Sequence, residues 1–255
     1  MVETLILIAL LAFVLTFIDV SFGMGFSIMA PTLIILNFSP KEVIPAVLFC
    51  SVLFGILGGI SHHKHKNVNF GKKTKSLKIM LIVSAIGIVG ILAGAMLAIN
   101  LPENITKFYI AGLMIVLGLI LLIKHKKEKH TFSWAKTLSF GVIASFNKGI
   151  AGGGYGPVLT GGQILSGVDS KKAIAITTLS EGLISIAGVI TFFIFGGVKV
   201  FNWSLIIALT VGGLISIPIA TFTVKKMRHH HIKVLIGLAS ILLGIGVLFT
   251  TPTLA

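Results

Sequence analysis

Three ionisable side chains, those of Asp19, Lys148 and Glu181, lie inside long apolar stretches of this sequence. A charge in hydrocarbon is costly, so such residues are candidates for functional groups. Lys148 has the charge to neutralise a bound anion, and the amide of its neighbour Asn147 can contribute to the same site. Asp19 and Glu181 have the chemistry to take up a proton or hold a cation, and so to couple solute movement to an ion gradient.

A purely structural role for these charges is the alternative. Asp19 and Lys148 would then form a buried ion pair. Glu181 would bond to the hydroxyl of Thr177 or Thr178, about one helical turn earlier. The two threonines are also candidates for polar lining of a binding site, although Thr hydroxyls commonly bond to carbonyls of their own helix.

Two glycine-rich segments follow Asp19 and Lys148: Ser21-Phe22-Gly23-Met24-Gly25 and Gly152-Gly153-Gly154-Tyr155-Gly156-Pro157. A helix that restarts after such a break presents unpaired N–H groups and its positive dipole end, which suits an anion. The alternative is that these glycines only permit close helix packing. The predicted substrate-binding residues are Ser21, Gly23, Gly25, Asn147, Lys148, Gly153, Gly154, Gly156, Thr177 and Thr178.

The composition requires that these residues lie in a membrane protein. The 255 residues are 55% hydrophobic and 11% charged, with a mean hydropathy of +1.06. We predict an all-α polytopic membrane protein, because several apolar runs approach the roughly 20 residues that cross a bilayer. The first residues, Met1 to Ile6, contain no Lys or Arg, so we expect the first apolar segment to remain in the mature protein. The hydrophobic regions are 4–37, 43–61, 79–99, 107–123, 137–166, 173–196, 203–224 and 232–250.

The two halves of the chain resemble each other. We therefore predict a transmembrane repeat at 1–125, a basic linker at 126–136 and a second repeat at 137–255, each repeat with four hydrophobic regions. The first region of each repeat is too long for one straight span and contains a glycine-rich break. The aligned pairs include Lys41 with Lys171, Gly58 with Gly188, Lys107 with Lys233, Gly118 with Gly244 and, after a one-residue gap, Gly23 with Gly154 and Gly25 with Gly156.

The distribution of loop Lys and Arg distinguishes two topologies. If the two long regions cross once each, the two sides hold 12 and 8 of these residues; if each is a hairpin or a pair of short spans, the counts become 17 and three. The second topology is better polarised and makes the repeats inverted, with both termini outside. It places the protein in the cell membrane, with basic loops 62–78, 124–136 and 225–233 in the cytoplasm.

Other functional classes find less support. The formal charge of +14 follows from the basic loops, so we expect membrane lipids and no nucleic acid as partners. The tracts 62–65 and 229–231 are rich in His but lack carboxylate or thiolate partners, and we predict no metal site. Ser39 and Asp169 resemble helix N-caps. No P-loop, Ser/His/Asp or two-carboxylate arrangement appears, so we predict neither an enzyme nor a bound cofactor.

A set of short motifs includes the two breaks and the segments around them: Phe17-Ile18-Asp19, Gly23-Met24-Gly25, Pro31, the segment 151–159, Ser170-Lys171-Lys172-Ala173 and Thr177-Thr178. In these motifs the chain resembles the TauE/SafE family of sulfite exporters, also described as the toluene sulfonate uptake permease family. The resemblance covers nearly the whole chain and implies transport of sulfite, an organosulfonate or another sulfur-containing anion. Ser21-Phe22 and Asn147-Lys148 depart from the family pattern, which leaves the exact substrate and coupling ion open.

We therefore expect a secondary transporter that binds a small anion at the membrane midplane between the two glycine breaks. A proton or cation is the expected coupling partner, through Asp19 or Glu181. An anion channel that uses the breaks as a filter is the first alternative. A membrane assembly subunit without transport activity is the second. Oligomeric state and transport direction stay open.

Overall fold

The computed structural model describes residues 2–23, 26–122, 132–226 and 230–249. These residues form ten α-helices, which confirms the predicted all-α architecture. Among them, six helices are long and apolar enough to cross a membrane. The helices are α1 (Val2–Phe22), α2 (Phe26–Ile35), α3 (Pro40–Lys64), α4 (Lys75–Asn100), α5 (Glu103–Leu122), α6 (Trp134–Ala151), α7 (Tyr155–Leu165), α8 (Ser170–Thr191), α9 (Trp203–Lys226) and α10 (His230–Phe249).

Both long hydrophobic regions are broken as predicted, but the two parts are unequal. In the first region α1 has 21 residues and α2 has 10, and in the second α6 has 18 and α7 has 11. At 1.5 Å per residue, α2 and α7 are only about 15 Å long and reach about halfway through a bilayer. Each region is therefore one long helix followed by a half-length helix.

The start of α6 and the end of α7 lie side by side. The N–H of Ser133 donates to the carbonyl of Ser166 over 3.1 Å. Residues 137–166 therefore enter and leave from one end of the bundle, which makes α6 and α7 a re-entrant hairpin. A single crossing of this region would have placed Ser133 and Ser166 at opposite ends.

Further contacts assign the loops to the two ends of the bundle. At one end, the ammonium of Lys75 lies 3.8 Å from the ring centroid of Phe132. At the same end, the Asn67 amide donates to the Thr221 carbonyl over 2.9 Å. We call this the basic end, because residues 64–78, 166–172 and 221–226 meet there.

The opposite end contains the loops with few basic residues. The hydroxyl of Ser39 donates to the carboxylate of Glu103 over 2.7 Å, and the amide of Asn202 donates to the carboxylate of Glu42 over 3.4 Å. Helix α1 also starts at this end, because Ala9 contacts Gly212 and Ser21 contacts Ala220 as α1 and α9 both run toward the basic end. Helix α2 leads back to Ser39 at the same end, so α1 and α2 form a second re-entrant hairpin. The loop partition therefore agrees with the hairpin topology.

The helix packing has an internal symmetry. The most extensive contacts join α1 to α9, α4 to α6, α3 to α8 and α5 to α10. Exchanging α1–α5 with α6–α10 leaves this set of pairs unchanged. Helices α3 and α8 run antiparallel, since Gly55 packs on Gly182 whereas Gly59, further along α3, packs on Leu179, earlier in α8. Counterpart helices of the two halves thus point in opposite directions.

The surface of the bundle suits a hydrocarbon solvent. Leu10, Val89 and Leu242 expose 61%, 68% and 70% of their surface. The interior contains many polar side chains, the reverse of a water-soluble protein. Ser39 and Asp169 accept hydrogen bonds from Lys41 N and Lys172 N, which confirms both as N-caps. Polar groups are therefore concentrated inside the bundle and at helix ends.

Candidate functional site

Lys148 forms an ion pair in the centre of the bundle. Its ammonium lies 2.6 Å from a carboxylate oxygen of Glu181 and donates to the hydroxyl of Ser51 over 2.8 Å. Lys148 is fully buried and Glu181 is 3% exposed. The pair joins α6 to α8, and Ser51 adds α3. A buried charge is stable only with such partners, and the Glu181 carboxylate and the Ser51 hydroxyl compensate Lys148 inside the bundle.

The observed contact bears differently on the two structural alternatives. Lys148 pairs with Glu181, and its pairing with Asp19 stays a prediction. The predicted bond between Glu181 and a threonine is replaced by the same ion pair: the hydroxyl of Thr178 donates to the Ile174 carbonyl over 3.0 Å. The hydroxyl of Thr177 accepts hydrogen bonds from Thr160 and Gln163.

The first helices of the two hairpins end in the same way. Gly23 and Gly152 have φ of +67° and +70°, values that favour glycine. The N–H of Gly23 donates to the carbonyl of Asp19, and the N–H of Gly152 donates to the carbonyl of Lys148. Asp19 and Lys148 are therefore equivalent positions with opposite charge.

The equivalence changes the predicted alignment of the breaks. The sequence alignment paired Gly23 with Gly154, whereas the helix-ending geometry pairs Gly23 with Gly152. Gly23 and Gly152 are 129 positions apart, as are the helix starts Phe26 and Tyr155 that follow them. The N-caps Ser39 and Asp169 are 130 positions apart, so the one-residue gap falls after the starts of the two short helices. Gly25 lies outside the described residues.

The N-termini of α2 and α7 meet between the two breaks. Gly154, with a φ of +81°, is the residue before α7, and its N–H donates to the hydroxyl of Ser27 in the first turn of α2 over 3.1 Å. A Cβ on Gly154 would lie 3.3 Å from the Cβ of Asn147. Gly153 and Gly156 are also buried there. Two positive helix ends therefore converge beside the residue that precedes Lys148.

Tyrosine side chains that the sequence analysis did not select complete this region. The Tyr109 hydroxyl donates to the side-chain amide oxygen (Oδ1) of Asn147 over 2.5 Å, and the Tyr155 hydroxyl donates to the Ser180 hydroxyl over 2.8 Å. Tyr155 is fully buried at the start of α7. Its place directly after Gly154 was the available signal, because a hydroxyl at a helix break in an apolar segment needs a buried hydrogen-bond partner.

A second polar cluster lies beside Gly23. The Thr160 hydroxyl and the Gln163 amide both donate to the Thr177 hydroxyl, over 3.0 and 3.3 Å. A Cβ on Gly23 would lie 2.6 Å from the Thr160 hydroxyl oxygen, so α7 packs tightly against the first break. Gln163 was missed by sequence reasoning, although its amide in an apolar run was a usable signal.

The other predicted positions have simpler roles. The Ser21 hydroxyl donates to the Ala220 carbonyl of α9 over 3.3 Å, which fixes the end of α1. Buried His62 contacts the Val20 carbonyl and the Asn67 amide over 2.8 and 3.1 Å. His62 is thus a helix-packing residue at the basic end. His229 lies outside the described residues.

The fold is that of a polytopic membrane protein. It has an apolar exterior, helices long enough to span a bilayer, two re-entrant hairpins and a buried polar centre. A family model described as "Sulfite exporter TauE/SafE" matches residues 8–247. The chain belongs to this family and is a membrane transporter. It is similar to the "Probable membrane transporter protein YtnM" of Bacillus subtilis (strain 168), with 28% identity over 247 residues, 92% of this chain and 79% of that protein. No solved structure matches the chain.

Proposed function

We propose that this chain is a secondary transporter of a small anion, and that the solute is sulfite, an organosulfonate or another sulfur-containing anion. The observation that carries the proposal is the fully buried Lys148 beside the meeting point of α2 and α7. The name of the family supports the sulfur-containing class. The anion would bind at Lys148, Asn147 and the N-terminal turns that begin after Gly25 and Gly154.

The electrostatics of the buried ion pair indicate that anion binding is coupled to a proton or a cation. The pair of Lys148 and Glu181 is neutral as a unit. An anion that replaces Glu181 as the partner of Lys148 leaves the carboxylate uncompensated, and this is unfavourable in a low dielectric. Binding is therefore expected to require a proton or cation that neutralises a carboxylate. This requirement couples anion movement to an ion gradient.

The symmetry of the packing supports alternating access. Counterpart helices α3 and α8 are antiparallel, and exchange of the two halves preserves the main contacts. We take the halves to be inverted repeats whose relative rocking exposes the central site to each side in turn. The hairpin α1–α2 reaches in from the end opposite to α6–α7. The positive-inside rule places the basic end in the cytoplasm.

Counterflow in liposomes tests the proposal. The purified protein is reconstituted with internal unlabelled sulfite, and uptake of labelled sulfite is measured with sulfate, methanesulfonate or chloride as competitor. We expect saturable exchange that methanesulfonate inhibits. Lys148→Met should abolish it, because the variant removes the charge that binds the anion. Lys172→Met is the matched control, since Lys172 is exposed at the basic end.

The variant Lys148→Met/Glu181→Leu distinguishes loss of binding from loss of folding. Replacing both members of a buried pair with apolar residues leaves no uncompensated charge. This variant should fold and still fail to exchange sulfite. Exchange by Lys148→Met at the wild-type rate would remove Lys148 from the site. Conductance without saturable exchange would indicate a channel, and no flux of any anion would indicate a non-transporting subunit.

A further inference from the structure

The amide of Gln163 is incompletely satisfied inside the membrane. The side chain is fully buried, its nitrogen donates to Thr177, and its carbonyl oxygen has no hydrogen-bond partner among the described residues. An unsatisfied acceptor in such a place is unfavourable, because burial removes its hydrogen bonds to water without replacing them. A buried polar atom without a hydrogen-bond partner requires an explanation, and a role in ligand binding is one. The Gln163 oxygen therefore marks a position where a donor or a cation would bind.

The polar groups around the Gln163 side chain are hydroxyls, which offer oxygen atoms to a ligand. The hydroxyls of Thr160 and Thr177 lie next to the Gln163 amide, connected by the hydrogen bonds of 3.0 and 3.3 Å. The Thr160 oxygen also lies against Gly23, where α1 ends. A helix C-terminus presents unpaired carbonyl oxygens and a partial negative charge. The cluster therefore sits at a negative helix end.

Asp19 adds a formal negative charge in the last turn of α1. Its side chain is 4% exposed, and its backbone carbonyl accepts from Gly23 N. A carboxylate, an amide oxygen, hydroxyls and helix carbonyls are all hard oxygen ligands of the kind that alkali and alkaline-earth cations take. Broken transporter helices use such C-terminal ends to coordinate Na⁺.

We propose that a sodium ion binds at this end of α1, coordinated by oxygens of Gln163, Thr160 and Asp19, with Thr177 orienting the first two. The sodium site is separate from the anion site at Lys148, although α7 contributes to both. Its role as the coupling ion rests on the proposed transport function. Each sodium ion would then balance the charge of one bound monoanion.

Sodium binding is measured directly on the purified full-length protein in detergent, without any sulfur-containing anion. The melting temperature is followed while NaCl replaces choline chloride at constant chloride, with KCl as the comparison ion. A ligand at free concentration c that binds only the folded state stabilises it by RT ln(1 + c/Kd), and so raises the melting temperature as its concentration exceeds Kd. We expect Na⁺ to raise it at lower concentrations than K⁺. Gln163→Leu and Thr160→Val should each weaken the apparent sodium affinity about tenfold or more.

Thr191→Val is the matched control in α8, because the Thr191 hydroxyl only donates to the Ala187 carbonyl one turn earlier. It should retain the wild-type response to sodium. A melting temperature that is independent of sodium, or the same sodium response in wild type, Gln163→Leu and Thr160→Val, would overturn the sodium site. Sodium binding without any anion exchange in liposomes would instead overturn the transport proposal alone.

Discussion

The two re-entrant hairpins share a backbone plan and differ in charge. Asp19 and Lys148 each lie four residues before a left-handed glycine and accept its N–H. Asn147 precedes Lys148, whereas apolar Ile18 precedes Asp19. Under the proposed inverted repeats, the backbone of the helix end is kept in both halves, and the side chain four residues before the glycine selects the sign of the ligand. We assign the cation to the first hairpin and the anion to the second.

The largest expected effect tests the charge at Lys148. Lys148→Met should lower the free energy of unfolding by about 3–5 kcal/mol, because it leaves the buried Glu181 carboxyl group without its charge partner. SDS titration in detergent micelles measures this change. The double variant Lys148→Met/Glu181→Leu should recover most of the loss. If the single variant were as stable as the double, the ion pair of 2.6 Å would not stabilise the second hairpin.

The next effect compares the two helix-ending glycines. Gly152→Ala should cost about 1 kcal/mol, since the positive φ is strained for Ala while the nearest atom to the new Cβ is 3.5 Å away. Gly23→Ala should cost about 2–3 kcal/mol, because the Cβ would lie 2.6 Å from the Thr160 hydroxyl oxygen. SDS titration of both variants gives the difference.

Thr160→Ala provides the control for this comparison. It removes the hydroxyl that the Gly23→Ala methyl group would contact. In that background, Gly23→Ala should cost no more than Gly152→Ala does in the wild type. An unchanged excess cost would mean that the first break is limited by its backbone and not by the contact with α7.

Much of the fold was predictable from local chemistry. Apolar length located the spans, glycine and proline located the breaks, and Ser39 and Asp169 located two helix starts. Loop charge favoured the hairpin topology, and the contact between Ser133 and Ser166 agrees with it. These signals succeed because each depends on a short segment and on the bilayer, not on which helices become neighbours.

The partners inside the bundle were not predictable in this way. Lys148 contacts Glu181 and Ser51, which are 33 and 97 positions away and belong to two other helices. A sequence of near-uniform apolarity does not indicate which face of α6 meets α3 and α8. Gln163 and Tyr109 were missed for a related reason, since their importance depends on Thr177 and Asn147 across a helix interface.

The smallest effect tests a polar group that distinguishes the second hairpin from the first. Tyr155 and Phe26 open the two short helices at equivalent positions, so Tyr155→Phe gives the second hairpin the residue of the first. The variant removes the hydroxyl that donates to Ser180 over 2.8 Å and should cost about 1 kcal/mol. Ser180 retains its own bond to the Thr177 carbonyl. A double-mutant cycle with Ser180→Ala measures the coupling, and a coupling energy of zero would show that the Tyr155 hydroxyl does not act through Ser180.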